Sequence, residues 1–115
     1  MTVFHIATVA DWAARSRDSY VPAGYEAEGF VHCSAADQVP GTANRLFAGR
    51  HDLILLAIDE GALASPLVWE DSHGSGTEFP HVYGPIDLAA VAQVLAFAPG
   101  PDGRFDRWRP AQPPD

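Results

Sequence analysis

The chain has 115 residues, of which 47% are apolar, and a formal net charge of −8 with only 7 Lys and Arg. This length suits one domain with a modest core, and the negative charge excludes general binding to DNA or RNA, which requires a basic surface. No segment has the length of a membrane-spanning helix or the order of a secretory signal, so we expect a soluble cytoplasmic protein that does not bind membranes.

The single cysteine, Cys33, excludes an internal disulfide bond and a zinc site built from cysteines. Net charge describes only the far field of a protein, so arginines can still gather around one small anionic ligand. The candidates for such a cluster are Arg15, Arg17, Arg45 and Arg50.

The apolar pattern predicts strands and helices in an irregular order. Strands are predicted at 3–7, 29–34, 52–59, 67–70, 78–86 and 91–98, and helices from Thr8 to the charged stretch 15–18 and from Ser34 to Gly49. Pro40 is expected to kink or split the second helix. The continuous apolar run 53–58 is typical of a strand covered on both faces, near the middle of a sheet.

Strands predominate and both predicted helices come early in the chain. We therefore expect an α+β fold with mixed, mainly antiparallel small sheets. Residues 1–108 are predicted to form a single globular domain, and the proline-rich tail 109–115 is predicted to be disordered.

Three histidines lie within the predicted strands, each between apolar or small neighbours. Because side chains alternate along a strand, each imidazole points away from the face that its neighbours occupy. If these strands share one sheet, one face carries His5, His32, Ser34, His81 and Tyr83 together. A few polar groups on an apolar wall are typical of a ligand cleft, and imidazoles exchange protons near neutral pH.

Each candidate also has a purely structural interpretation. A strand histidine is often a buried, hydrogen-bonded residue. Ser34 has the position of a helix N-cap, and Cys33 that of an inert small hydrophobe. Asn44 is interpreted as a brace of the second helix, and Glu70 as a solvated carboxylate beside a packed Trp69.

Five blocks of the sequence resemble domain-of-unknown-function family 952. They are 4–6 (FHI), 28–34 (EGFVHCS), 42–44 (TAN), 68–70 (VWE) and 79–84 (FPHVYG), and the resemblance runs roughly over residues 3–97. That family is distantly similar to the ADP-ribosyltransferase fold, which holds NAD in a cleft between two small antiparallel sheets. The resemblance implies an ADP-ribosyltransferase-like fold with NAD as the cofactor.

Further roles follow from the resemblance, residue by residue. His5 corresponds to the histidine of the first strand that hydrogen-bonds the adenosine ribose, and 29–34 is similar to a segment of the RNA 2′-phosphotransferases. No glutamate falls in a clearly matching third motif, and Glu70 and Glu78 are both candidates by their order. The assigned catalytic residues are His32, Glu70 and His81, and the assigned cofactor-binding residues are His5, Ser34, Asn44 and Tyr83.

Three functions stay open. The first is an NAD-dependent transferase of the ADP-ribosyl type, in which Glu70 or Glu78 stabilises an oxocarbenium-like ribose. The second is a binding module that recognises a small nucleotide or metabolite without catalysis. The third is a metal site of three histidines, although their spacing is not a local metal motif and no metal is expected. The expected partner is thus a nucleotide-like small molecule, and the sequence predicts no oligomeric state.

Overall fold

The computed structural model describes residues 1–72 and 74–108. The strands in these residues are β1 (Thr2–Thr8), β2 (Ser19–Tyr20), β3 (Val31–His32), β4 (Leu53–Asp59), β5 (Leu67–Glu70), β6 (Phe79–Val82), β7 (Ile86–Asp87) and β8 (Val91–Phe97). The α-helices are α1 (Val9–Ala13), α2 (Tyr25–Glu28) and α3 (Val39–Phe47), and single 3-10 turns lie at Ala36–Gln38, Glu60–Ala62 and Leu88–Ala90.

The main sheet has the order β1-β4-β8, and both of its strand pairs are antiparallel. Its central strand β4 sends Leu56 and Ile58 into one apolar core and Leu53, Leu55 and Ala57 into another on the opposite face. The continuous apolar run therefore lies in the middle strand with both faces covered, as its composition predicts.

A second antiparallel sheet has the order β3-β6-β5, and β2 pairs with β7 in a two-stranded ribbon. Val31 and Val82 face each other across the β3–β6 pair and are buried in the first core together with Val3 of β1. A bridge between Phe4 and Ser34 joins the two larger sheets through backbone hydrogen bonds of 2.8 and 2.7 Å. The α+β class with small antiparallel sheets is confirmed.

The second predicted helix begins later than the sequence suggests. Ser34 pairs with Phe4 as part of the bridge, so its predicted role as an N-cap is wrong. A 3-10 turn follows, and α3 begins at Val39. Pro40 is the second residue of α3, where its missing N–H has no helical partner to lose, so the predicted kink does not form.

Two glycines explain the other differences in element boundaries. Gly29 takes φ +85° and ends α2, a helix that the sequence reading missed, so the following strand is shorter than predicted. Gly84 takes φ +154° between β6 and β7, and a side chain there would collide with the Ser65 hydroxyl, since a Cβ would lie 2.3 Å from it. The single strand predicted at 78–86 is therefore two strands.

The first predicted helix is also shorter than expected. It ends at Ala13, before the charged stretch 15–18. Thr8 is its N-cap, as predicted, and the Thr8 hydroxyl accepts a hydrogen bond from the backbone N–H of Asp11. In the described part of the chain, every helix falls short of the length and apolarity that crossing a bilayer requires. The predicted tail 109–115 lies outside the described residues.

Candidate functional site

A cavity of about 550 Å³ opens where the main sheet meets the β3-β6-β5 sheet. Apolar side chains form much of its wall, among them Phe30, Leu46 and Phe79. Its polar lining includes His5, His32, Ser34, Thr42, Arg45 and His81. The volume and the mixed lining are typical of a small-molecule site.

The structure brings together most of the residues predicted for this cleft. His5, His32, Ser34 and His81 all line the cavity. The other three predicted residues, Glu70, Tyr83 and Asn44, are not part of its lining. The convergence of the three histidines arises because β1 meets β3 at the bridge and β3 pairs with β6, where His32 lies opposite His81.

His5 is buried and uses both ring nitrogens inside the protein. Its Nδ1–H donates to the His32 carbonyl oxygen at 2.7 Å, and its Nε2 accepts from the Tyr20 hydroxyl at 2.9 Å. Burial lowers the pKa of His5 from 6.5 to about 4, because an apolar environment disfavours the imidazolium, so the ring is neutral. The role of His5 as a ribose ligand stays a prediction, and its ring has no nitrogen to spare for it.

The His81 ring is held by Glu70 and Phe30, and Tyr83 in turn holds Glu70. Its Nδ1–H donates to Glu70 Oε1 at 2.8 Å, and the Tyr83 hydroxyl donates to the same oxygen. The Phe30 ring stacks on the imidazole with a centroid distance of 4.1 Å and an interplanar angle of 16°. These contacts follow from the register, in which His81 faces Val68 and strand alternation puts Glu70 and Tyr83 on the same face.

The two hydrogen bonds keep Glu70 ionised. They lower the pKa of the Glu70 carboxyl, with the larger effect from Tyr83 and the smaller from His81. The hydrogen bond between Tyr83 and Glu70 also raises the pKa of the Tyr83 phenol. Glu70 thus acts as an acceptor that fixes the orientation of His81.

The second nitrogen of His81 is open to the cavity. Within residues 1–72 and 74–108, no group hydrogen-bonds to His81 Nε2, and no unpaired side-chain nitrogen is fully buried. Since His81 lines the cavity, this nitrogen faces the space that a ligand would occupy. With the proton on Nδ1, as its bond to Glu70 requires, Nε2 is the ring nitrogen that can accept a hydrogen bond or a proton there.

His32 lies beside His81 and is more accessible. The two rings meet edge to face, with centroids 5.2 Å apart, and the His32 side chain is 42% exposed. Its Nε2 is 3.5 Å from Glu28 Oε2, so a protonated His32 forms an ion pair with that carboxylate. The cavity wall therefore holds two adjacent imidazoles, each with its own carboxylate.

A hydroxyl pair and one arginine also line the cavity. Ser34 Oγ and Thr42 Oγ1 are 3.2 Å apart. The Arg45 guanidinium lies 5.7 Å from the centroid of the Phe79 ring. Among the described residues, no ion pair involves Arg45.

The other arginines do not join Arg45 in the cavity. The Arg50 guanidinium pairs with Asp52, which lowers the pKa of the Asp52 carboxyl through their hydrogen bond. Arg15 stacks on Trp12, and Arg17 lies away from the cavity with it. Among the described residues, Arg45 is therefore the arginine that an anionic ligand in the cleft would meet.

Asn44 braces the C-terminal part of the domain. Its amide nitrogen donates to Asp106, and its carbonyl oxygen accepts from the backbone N–H of Phe105 at 2.8 Å. Its predicted role in cofactor binding stays a prediction. These contacts agree with the interpretation of Asn44 as a brace. The buried position of Cys33 agrees with its interpretation as an inert small hydrophobe, and burial raises the pKa of its thiol to about 12.

Sequence reasoning missed Tyr20 and Thr42. Tyr20 belongs to a turn-like segment, and its partnership with His5 depends on the ribbon of β2 with β7, which no local pattern reveals. Thr42 lies on α3 between two buried residues, Val39 and Ala43. Its position about one helical turn after Val39 was the sequence signal that could have placed it on the inward face of the helix.

The described residues do not support the metal hypothesis. No group of three His, Cys, Asp or Glu side chains in 1–72 and 74–108 is positioned to hold a metal ion. His5 already uses both ring nitrogens, which leaves it no lone pair for a metal.

Comparison with known proteins identifies the family. The family described as "Protein of unknown function (DUF952)" matches residues 6–94, which is most of the chain. This chain belongs to that family. The resemblance carried by the histidine blocks is thereby confirmed.

Solved structures of protein CC0527 share the fold of this chain. The X-ray structure of protein CC0527 from Caulobacter crescentus is 33% identical, with a TM-score of 0.80 over 90% of this chain and 92% of that one. The solution NMR structure of CC0527 is also 33% identical, with a TM-score of 0.77 over 91% of each chain. The search of curated proteins found no match. None of these names mentions an ADP-ribosyltransferase, so that likeness stays a prediction.

Proposed function

We propose that the cleft binds a small nucleotide-like molecule, with NAD or a related nucleotide as the ligand class. The observation that carries the proposal is the lining of the cavity, which combines aromatic rings and imidazoles with Arg45. Within the described residues Arg45 forms no ion pair, and its guanidinium lies over the Phe79 ring. An arginine suits a phosphate group, and aromatic faces suit a planar base.

Charge narrows the class of ligand. Asp11 and Glu28 line the cavity together with Arg45, so its wall carries charges of both signs. NAD combines an anionic pyrophosphate with a cationic nicotinamide, which suits a wall of mixed charge. A highly charged polyphosphate would be repelled by the carboxylates and by the net charge of −8.

Binding has stronger support than ADP-ribosyl transfer. Glu70, one candidate for the catalytic carboxylate, is turned to His81 and Tyr83, and Glu78 is exposed. Neither carboxylate belongs to the cavity lining. Transferase chemistry and a cytoplasmic location are predictions of the sequence that the proposal does not require.

The proposal is tested by isothermal titration and thermal shift with NAD, ADP-ribose and adenosine. A ligand that binds the native state raises Tm by mass action. We expect NAD to bind and Arg45→Ala to weaken its Kd about tenfold, the effect of losing one charge-assisted hydrogen bond. Arg17→Ala is the matched control, because Arg17 is exposed and lies outside this cavity. Absence of binding by all three compounds at millimolar concentration would contradict the proposal.

A further inference from the structure

Among the described residues, two of the three imidazoles that line the cavity, those of His32 and His81, differ in the way that general acid–base chemistry requires. His81 is 2% exposed and fixed by Glu70 and Phe30, whereas the His32 side chain is 42% exposed and close to Glu28. One ring is therefore held rigidly beside the ligand space, and the other has ready access to solvent protons. Proton transfer by a positioned side chain requires hydrogen-bond reach to the reacting group.

His81 has the geometry of a base. Its Nδ1–H donates to Glu70 Oε1, which places the proton on that nitrogen and leaves the Nε2 lone pair on the cavity side. Glu70 also stabilises the imidazolium that forms when Nε2 accepts a proton. Glu70 is a positioning residue, since it does not line the cavity.

His32 has the geometry of the complementary acid. Its ring is 5.2 Å from that of His81, so both can reach one reacting group. Glu28 stabilises the protonated ring at 3.5 Å. A base candidate fixed by Glu70 and an acid candidate beside Glu28 thus lie side by side on one wall.

The charge and size of the cavity select the reacting group. Arg45 supplies one positive charge, and Asp11 and Glu28 disfavour further negative charge on a ligand. A phosphodiester carries one negative charge near neutral pH, whereas a phosphomonoester carries nearly two. A cavity of about 550 Å³ and a net charge of −8 suit a single nucleotide and exclude a long polyanion.

We propose that the cleft hydrolyses the phosphodiester of a cyclic mononucleotide, with His81 as base and His32 as acid. Water oxygen forms a bond to phosphorus while its proton moves to His81 Nε2. The phosphorus bond to a ribose oxygen breaks, and that oxygen takes the proton of His32. The product is a nucleoside monophosphate, and both imidazoles return to their starting states by exchange with solvent. This inference rests on the proposed binding of a nucleotide-like ligand.

The experiment uses the full chain with 2′,3′-cyclic AMP, binding measured by titration calorimetry and product by phosphorus NMR. We expect turnover to AMP, a loss of about 100-fold or more in kcat for His81→Gln and for His32→Gln, and nearly unchanged Kd. His51→Gln is the matched control, because His51 is exposed and outside the cavity. Glu70→Gln is a second variant should His81→Gln fail to fold, and we expect it to lower kcat while KM stays the same.

A second substrate separates the base from the acid. In bis(p-nitrophenyl) phosphate the leaving p-nitrophenolate needs no proton, so His32→Gln should keep most of the rate while His81→Gln loses it. Equal losses for His32→Gln on both substrates would overturn its role as the acid. Binding of 2′,3′-cyclic AMP without turnover would overturn the inference and leave the proposed function standing. Failure of every nucleotide, NAD included, to bind would overturn both.

Discussion

The surroundings of His5 and of His81 show how two buried histidines in one protein differ in what they can do. His5 links the main sheet to the β3-β6-β5 sheet through the His32 carbonyl and to the β2-β7 ribbon through Tyr20. His81 gives one nitrogen to Glu70 and keeps the other for the cavity. Burial is similar at both, so the nitrogen that remains open, and not burial, separates a structural histidine from a candidate for chemistry.

The largest expected effect is that of His5→Ala on stability. The substitution removes two buried hydrogen bonds, leaves the His32 carbonyl and the Tyr20 hydroxyl without that partner, and opens a void. We expect a loss of about 3 kcal/mol in the free energy of unfolding, measured by urea denaturation. His51→Ala, at an exposed position, should change the free energy by less than about 0.5 kcal/mol.

Low pH should reduce the free energy of unfolding through protonation of His5. The folded pKa of His5 is about 4, below the ordinary value of 6.5, so the unfolded chain binds the extra proton first. The stabilisation from a neutral His5 is complete above pH 6.5 and is lost as pH falls from 6.5 to about 4, amounting to roughly 3 kcal/mol. Urea titrations across this range measure it. An equally steep loss in His5→Gln would show that another group is responsible.

Tyr20→Phe should have an intermediate effect. It removes the hydroxyl that donates to His5 Nε2 and leaves that nitrogen buried without this partner. We expect a loss of about 1 to 2 kcal/mol in unfolding free energy and no change in nucleotide affinity. A weaker Kd with unchanged stability would mean that the Tyr20 hydroxyl serves the ligand instead.

Asn44→Ala should have the smallest effect on stability, and it tests whether Asn44 belongs to the cleft. Its contacts to Phe105 and Asp106 brace the C-terminal part of the domain. We expect a loss of about 1 kcal/mol in unfolding free energy, seen as a lower Tm, with ligand affinity retained. If affinity falls and Tm does not, Asn44 contacts the ligand as the family resemblance implies.

The sequence predicted the parts of the fold that depend on local periodicity. The run 53–58 identified the central strand, and alternation in β3 and β6 put His32 and His81 on one face. Boundaries failed at Gly29 and Gly84, where backbone conformation and a close approach to Ser65 decide the outcome. At Gly29 the cause is the local left-handed cap of α2, whereas the approach of Ser65 to Gly84 depends on a neighbour distant in the chain.

The site was predictable in its histidines and not in their partners. Alternation says which way an imidazole points but not which donor or acceptor meets it. The bond between His5 and Tyr20 spans 15 residues, and that between His81 and Glu70 spans 11, across strands whose register no single segment encodes. Strand alternation alone therefore gave His5 and His81 equivalent positions, and only their hydrogen-bond partners distinguish them in the structure.

The rate of chemical labelling at Cys33 reports on opening of the structure around this thiol. Cys33 is the single thiol of the chain, it is buried in the first core beside the cleft, and burial raises its pKa to about 12. The Cys33 side chain is 4% exposed and lines the cavity, so its rate of labelling by a thiol reagent measures opening of the surrounding strands together with access through the cleft. A ligand that fills the cavity should therefore slow this labelling.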